Sequence, residues 1–307
     1  MINAIFMGTP DFAVESLKEL LADEGINITS VVCQPDKPKG RSGKLAFPAT
    51  KEFALEKGLK VHQPETLRDG AFSAILDEEK PDIIIVVAYG KILPKYILDY
   101  PRMGCINLHG SVLPKYRGSA PIQWSVINGD KTAGVTTMYM SEGLDSGDIL
   151  EIFETPIGRE ETAGELFDRL AAEGAKLLRH TVNALAGEGI TPVPQDEEKA
   201  THAPMLRKEM AEISFAQPAE KIYNLIRGMN PWPVAYTFTD KGIMKVYKAT
   251  VIEKNTGKQP GERIEEKGKL IIQTADGCIS LDEVQLEGKK RMNTADLLRG
   301  NDIIIKI

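Results

Sequence analysis

The chain has 307 residues, of which 42% are hydrophobic and 27% charged, and its formal net charge is −6. This composition is ordinary for a globular protein of about two domains, and the acidic balance does not favour a nucleic-acid partner for the chain as a whole. The longest apolar run, residues 83–88, is far too short to span a bilayer.

Charge is unevenly distributed along the chain. Residues 1–207 carry 22 basic and 30 acidic side chains, a net of −8, whereas residues 208–307 carry 16 and 14, a net of +2. This asymmetry is consistent with an anionic partner for the second part of the chain, and equally with chance variation of the surface.

Cysteine usage and the first residues favour a reducing compartment. Cys33, Cys105 and Cys278 are far apart and form no C-x-x-C pair, which favours buried free thiols. The opening MINAIFMGTP has no basic n-region, so we expect no signal peptide and a cytoplasmic protein.

Strand and helix patterns alternate in the first half of the chain. INAIFMG (2–8) is typical of a buried strand, and Thr9 followed by Pro10 predicts the capped start of a helix. Further strands are predicted at 28–34, 59–63, 81–90 and 105–110, and further helices at 49–58 and 67–80. The alternation predicts an α/β fold with a doubly wound, mostly parallel Rossmann-like sheet.

The second half changes character. β-prone alternation at 134–157 precedes a long amphipathic helix that Thr162 caps. The proline-rich stretch after residue 189 has linker composition, and beyond a helix at about 217–228 the chain has only short strand patterns. We therefore expect a catalytic domain over 1–189, a linker over 190–207 and a small, OB-like β-barrel over 208–307.

Two polar residues stand in a predicted strand, within CINLHGSVLPKYRGSAP (105–121). Asn107 and His109 are two positions apart, so their side chains share one face. If this strand is central, both project at its carboxyl end, where open α/β sheets place their chemistry. Alone, the pair is explained equally well by a capped turn. Lys115 and Arg117 add positive charge beside it.

An acid is the natural partner of such a histidine. Asp145 lies between two glycines in GLDSGDIL (143–150), where it could orient the His109 ring and raise its pKa. Asp148 is interpreted as a turn former.

Together these motifs resemble the formyltransferases that use 10-formyltetrahydrofolate. The resemblance to the branch that formylates methionyl-tRNA extends over the whole chain and includes IFMGTPDFA, CQPDKPKGRSGKL and RGMNPWPVAYT. Val112 stands where the family commonly has leucine.

The resemblance implies transfer of a formyl group from 10-formyltetrahydrofolate to the amine of initiator methionyl-tRNA, with catalytic residues Asn107, His109 and Asp145. The chemistry fits these side chains, because the tetrahedral intermediate carries an oxyanion that amide and imidazole groups can stabilise. The resemblance also implies a folate site formed by Ser111, Val112, Leu113 and Pro114 together with Val86, Val87, Ala88 and Tyr89.

A basic segment is the expected contact for the RNA. Residues 34–51 carry five cations and one acid, and the segment is predicted to be a loop. Such a run is often only solvated surface, but a basic loop near a strand's carboxyl end suits an RNA acceptor end. The implied tRNA-binding residues are Arg41, with Lys37, Lys39 and Lys44.

Expectations for the second domain are coarser. Lys289, Lys290 and Arg291 make it a plausible RNA platform, although a structural appendage is also possible. Trp232, in RGMNPWP, is expected to be buried at the domain junction. We expect a monomer.

No metal is expected, because the four histidines show no ligand spacing. Three alternative functions stay open. The first is formylation of a small amine, either glycinamide ribonucleotide or an amino sugar nucleotide. The second, a nucleotide-binding oxidoreductase, lacks the G-x-G-x-x-G fingerprint. The third is an RNA-binding protein without catalysis.

Overall fold

The computed structural model describes residues 1–39, 44–254, 256–300 and 302–306. Its contacts divide the chain into two compact units. The first comprises Met1–Gly118, Gly134–Thr155 and Phe167–His202, and the second comprises Ser119–Ala133, Pro156–Leu166 and Ala203–Ile307. Because each unit gathers three stretches of chain, this division does not test the chain-order boundaries at 189 and 207, which stay predictions.

Helices and strands follow in chain order. Up to residue 118 they are β1 (Ile2–Gly8), α1 (Asp11–Leu21), β2 (Ile26–Val32), β3 (Lys37–Lys39), β4 (Lys44–Ala46), α2 (Ala49–Glu56), β5 (Val61–His62), α3 (Ser73–Glu79), β6 (Ile83–Val87), α4 (Lys95–Leu98), β7 (Cys105–His109) and β8 (Arg117–Gly118). To residue 203 they are α5 (Pro121–Ile127), β9 (Thr132–Tyr139), β10 (Ile149–Pro156), α6 (Ala163–Ala186) and β11 (His202–Ala203). The remainder are α7 (Ala219–Gly228), β12 (Tyr236–Thr239), β13 (Gly242–Ile252), β14 (Arg263–Glu266), β15 (Lys269–Gln273), β16 (Cys278–Leu286), β17 (Met292–Asn293), α8 (Thr294–Leu297) and β18 (Ile305–Lys306).

A seven-stranded sheet forms the centre of the first unit, in the order β10-β9-β7-β6-β1-β2-β5. The five strands from β7 to β5 run parallel, and β9 is antiparallel to β7. Strands β6 and β7 are buried along their whole length, as expected for a sheet covered on both faces. The predicted doubly wound, mostly parallel sheet is confirmed, and the carboxyl ends of β1, β6 and β7 lie at one edge.

Two local predictions in this unit are wrong. Helix α1 begins at Asp11 without a side-chain cap, because the Thr9 hydroxyl instead donates to the Tyr89 carbonyl at 3.1 Å. The helix predicted over 67–80 begins only at Ser73, since Asp69 and Gly70 adopt positive φ, which an α-helix does not allow.

The second unit is built on an antiparallel sheet in the order β14-β15-β16-β13-β12-β18, with β17 paired to β16. The two ends of this path are linked where Arg263 on β14 pairs with Asp302 at 2.6 Å, just before β18. Buried residues of β13, β15 and β16 pack with helix α7 in one apolar core. The predicted small barrel is therefore confirmed as an antiparallel half-barrel.

The predicted burial of Trp232 is wrong. Its side chain is 56% exposed, whereas Met229 and Val234 on either side are buried. Within the described ranges, none of the helices is both long and apolar enough to cross a bilayer.

Helix α6 begins with the cap that the sequence predicts. The Thr162 hydroxyl accepts from the Glu165 N–H at 3.3 Å, and the Glu165 carboxylate accepts from the Thr162 N–H at 2.9 Å. This reciprocal pair is a capping box.

Replacing the cap should destabilise the protein without altering its fold. We expect Thr162→Ala to lower the free energy of unfolding by about 1 kcal/mol, because one helix N–H loses its acceptor. Thr162→Ser retains the hydroxyl and is the control. Urea unfolding of both variants measures the difference, and equal midpoints would exclude a capping role for the hydroxyl.

Candidate active site

Strand β7 places both predicted polar residues at the edge where the parallel strands end. Asn107 and His109 are 9% and 6% exposed, and Asn107 pairs in register with Val86 of β6. Among the described residues, no hydrogen bond is formed by the Asn107 side-chain amide, and its atoms are not among those that are fully buried without a partner. Asn107 is therefore available to a ligand.

The His109 ring is fixed by a backbone carbonyl. Its Nε2 lies 2.9 Å from the Tyr116 oxygen, and because a carbonyl only accepts, Nε2 carries a hydrogen. Its Nδ1 faces Asp145, with 3.7 Å between Nδ1 and Oδ2. This distance exceeds that of a direct hydrogen bond, so the two groups form an ion pair when Nδ1 takes up a proton. Nδ1 is thus the nitrogen that can exchange a proton.

Asp145 is held by the chain that follows β7. Its Oδ2 accepts from the Gly118 N–H at 2.8 Å, and its own backbone has a φ of 48°, which is uncommon outside glycine. Asp148, interpreted as a turn former, is exposed and offers its carbonyl to the Tyr139 N–H at 2.9 Å. The structure therefore separates the roles of the two acids.

The sequence suggests that Arg117 adds positive charge beside the site. In the structure, its charge is instead neutralised by an acid. Its side chain is buried and bonds Glu197 through both guanidinium ends, at 2.9 and 2.7 Å. Hydrogen bonds with Arg117 lower the pKa of Glu197, so the pair is fully ionised and locally neutral. Lys115 is exposed.

The loop at residues 111–114 is anchored by strand β9. The hydroxyl of Thr136, which pairs in register with His109, donates to the Ser111 carbonyl at 2.6 Å and accepts from the Leu113 N–H at 3.1 Å. The Ser111 hydroxyl in turn donates to the Lys115 carbonyl at 2.6 Å. Sequence reasoning missed Thr136, whose signal would have been the pair of threonines, Thr136 and Thr137, in the otherwise apolar centre of the adjoining strand.

The other predicted folate residues divide into two groups. Val86, Val87 and Tyr89 are buried in the sheet, whereas Ala88 is exposed with a φ of 48°. The Tyr89 carbonyl accepts from Thr9 and from the Gln34 amide, at 3.1 Å each. Of these four residues, Ala88 alone is exposed.

Burial removes the thiols from consideration as nucleophiles. Desolvation raises the pKa of Cys33 to about 11 and that of Cys105 to about 12, so both remain protonated near neutral pH. In the described ranges, no cluster of three or more His, Cys, Asp or Glu side chains is arranged to hold a metal ion.

The basic segment is a short antiparallel hairpin, not a simple loop. Strand β3 pairs with β4, so that Lys37 stands opposite Ala46. At the base of the hairpin, Lys51 forms an ion pair with Asp36 at 2.7 Å and lies over the Phe47 ring at 4.1 Å.

Three of the cations expected to bind tRNA, Lys37, Lys39 and Lys44, belong to the arms of this hairpin. Lys37 is exposed, and Arg41 lies outside the described residues. Lys39 and Lys44 pair with each other across the hairpin backbone. Because Lys51 and Asp36 neutralise each other, the net charge of +4 in residues 34–51 belongs to these four predicted residues.

Of the three basic residues Lys289, Lys290 and Arg291 in the second unit, only two have charges that are unpaired within the described part of the chain and could contact RNA. Lys289 and Lys290 are exposed, whereas Arg291 bonds Glu283 at 2.6 and 2.7 Å and lies 4.2 Å from the Tyr247 ring.

Comparison with known proteins agrees with this architecture. Residues 2–182 match the family model described as formyl transferase, and residues 205–302 match the formyl transferase C-terminal domain. The chain belongs to the formyl transferase family. A methionyl-tRNA formyltransferase of Alkaliphilus oremlandii is 49% identical over 303 residues, covering 98% of this chain and 97% of the relative. The methionyl-tRNA formyltransferase of Clostridium novyi is 48% identical, covering 99% of both chains.

Solved structures of formyl transferases share the fold. The N-formyltransferase of Helicobacter canadensis, in complex with folinic acid and dTDP-3-aminofucose, has a TM-score of 0.67 at 18% identity and covers 92% of this chain and 99% of its own. The sugar 3N-formyl transferase WlaRD has a TM-score of 0.68 at 20% identity, with coverages of 94% and 99%. At these identities the likeness establishes the fold alone.

Removing the Thr136 hydroxyl should loosen the 111–114 loop. We expect Thr136→Val to cost roughly 1–3 kcal/mol of unfolding free energy, because the Ser111 carbonyl and the Leu113 N–H lose their buried partner. Thr136→Ser retains the hydroxyl and serves as control. Equal stability of the valine variant and wild type in chemical denaturation would contradict the anchoring role.

Proposed function

We propose that the protein transfers the formyl group of 10-formyltetrahydrofolate to the free amine of initiator methionyl-tRNA, giving formylmethionyl-tRNA for translation initiation. The observation that carries the proposal is full-length identity of 46–49% to relatives named methionyl-tRNA formyltransferase. The paired His109 and Asp145 and the unpartnered Asn107 amide supply groups that suit the reaction.

The reaction needs an oxyanion donor and a route for protons. The amine attacks the formyl carbon, the carbonyl oxygen becomes an oxyanion, and the amine then loses a proton while N10 of the folate gains one as its bond to carbon breaks. We assign the oxyanion to the Asn107 amide, which has no partner among the described residues. One such donor contributes roughly 3–4 kcal/mol of transition-state stabilisation.

Proton movement falls to His109. Its Nε2 hydrogen is committed to the Tyr116 carbonyl, so only Nδ1 exchanges a proton, and Asp145 stabilises the resulting imidazolium. A protonated Nδ1 can also donate a second hydrogen bond to the oxyanion.

The donor is proposed to bind beside this pair. Folate would lie against residues 111–114 and the end of β6, where Ala88 is exposed and the backbone changes direction. Because Val86 and Val87 are buried, their contribution would be to shape the strand end and not to touch the ligand.

The acceptor would be held by charge. The hairpin cations at 37, 39, 41 and 44 suit the phosphates of the acceptor end. We place the enzyme in the cytoplasm, with its tRNA substrate, and monomeric in solution, which light scattering would test.

The alternative is formylation of a small amine, either an amino sugar nucleotide or glycinamide ribonucleotide. One comparison decides between them. The purified protein is offered 10-formyltetrahydrofolate with initiator methionyl-tRNA, free methionine or either small amine. Product with the charged tRNA alone supports the proposal. Transfer to a small amine without RNA would favour the alternative, and no release of formyl from any mixture would favour a non-catalytic RNA-binding protein.

Catalytic substitutions should act on turnover and not on folding. We expect His109→Ala and Asp145→Ala to lower kcat by about 10²–10⁴-fold, because the proton route is lost. Asp148→Ala, which removes an exposed acid three residues away, is the matched control and should leave kcat unchanged. Near-wild-type turnover of His109→Ala would overturn the assignment.

Hairpin substitutions should act on tRNA alone. We expect Lys37→Gln and Arg41→Gln each to raise the KM for methionyl-tRNA. Each should also reduce the slope of log binding constant against log salt concentration by about one, because one phosphate contact is lost, with folate binding unchanged. Lys176→Gln, at an exposed position of helix α6, is the control. An unchanged salt slope in both hairpin variants would exclude the hairpin from tRNA binding.

A further inference from the structure

The segment expected to be a linker is bonded to the active-site loop. Val193 forms an antiparallel bridge with Ile149, through hydrogen bonds of 2.8 and 2.9 Å. Two residues later, the Gln195 amide donates to the carbonyls of Asp145 and Gly147, at 2.9 and 2.7 Å. Both donors of one side chain thus bind the loop that carries the acid.

Arg117 determines which way this amide points. The Gln195 Oε1 accepts from Arg117 Nε at 3.0 Å and from Nη2 at 2.8 Å. A guanidinium has no acceptor, so the amide oxygen must face it and the NH₂ group must face the two carbonyls. Glu197 fixes the guanidinium in turn through its bidentate pair.

The loop needs such restraint. Asp145 is held in the left-handed region, and a Cβ at Gly147 would lie 1.8 Å from the Tyr139 carbonyl, so the backbone there is pressed against β9. Gln195 adds two hydrogen bonds to this backbone, and a change in its conformation would move the carboxylate relative to the Gly118 N–H and His109.

We infer that Gln195 is a positioning residue, which with Arg117 and Glu197 holds the Asp145 loop so that the carboxylate stays beside His109. The inference rests on the proposed function only for its kinetic consequence. Gln195 touches neither the imidazole nor the carboxylate, and it acts through the backbone of the acid.

A double-substitution cycle tests this with the full-length protein. Gln195→Met keeps the side-chain length but removes the hydrogen bonds. We expect kcat with methionyl-tRNA and 10-formyltetrahydrofolate to fall by about tenfold or more, with the KM of each substrate within about twofold of wild type. In an Asp145→Ala background the same substitution should cost nothing further, because its effect passes through the acid.

Two further variants complete the design. Glu197→Gln weakens the hold on Arg117 and should give a smaller loss in the same direction, which preserves the test if Gln195→Met does not fold. Glu198→Gln, an exposed neighbour, should match wild type. The inference would be overturned if Gln195→Met lowered kcat by the same factor in the wild-type and Asp145→Ala backgrounds. It would also be overturned if the substitution changed KM and left kcat unchanged.

Hydrogen exchange at the Gly118 amide provides a readout that needs no substrate. The N–H of Gly118 is bonded to Asp145, so Gln195→Met should speed its exchange while Glu198→Gln leaves it unchanged. An unchanged exchange rate of the Gly118 amide in Gln195→Met would contradict the positioning role of Gln195. If the wild type formylates no methionyl-tRNA, the proposed function fails, and the exchange measurement still decides the role of Gln195.

Discussion

Three successive residues, Tyr116 to Gly118, hold the groups of the candidate active site in place. The Tyr116 carbonyl fixes the His109 ring, and the Gly118 N–H fixes the Asp145 carboxylate. Between them, the Arg117 side chain orients Gln195, which binds the backbone of the acid from the other side. Because one short segment positions all three side chains, a shift in it would displace the His109 imidazole and the Asp145 carboxylate together.

The parallel sheet allows one short segment to position these side chains. Strands β1, β6 and β7 end at one edge, and the antiparallel strand β9 returns beside β7 so that Thr136 stands opposite His109. A rigid strand therefore supplies the imidazole and the amide, and its neighbour anchors the loop that follows. Asp145 lies outside the strands, in the 143–148 loop, and there Gln195 supplies two further hydrogen bonds.

The sequence revealed what periodicity and side-chain chemistry can encode. Strand periodicity placed Asn107 and His109 on one face, and the strand–helix alternation predicted the sheet. The sequence did not reveal the roles of backbone groups, because every residue has a peptide N–H or carbonyl. The Tyr116 carbonyl and the Gly118 N–H therefore left no signal in it. Arg117 and Gln195 were misjudged for a related reason, since a cation next to a site and a glutamine in a proline-rich stretch have no visible partner until the chain folds. Thr9 failed similarly, because a tertiary hydrogen bond to Tyr89 replaced the local cap.

The base of the basic hairpin has a separate consequence. Asp36 is bonded to Lys51 and to the Gln63 amide, so the hairpin is closed by side chains that lie outside its arms. The arms can then change in sequence or length without disturbing the sheet beneath them. If the hairpin holds the acceptor as proposed, its arms could change while the groups around His109 stay the same, and arms of another composition could be grafted onto the same closed base to test for a different amine.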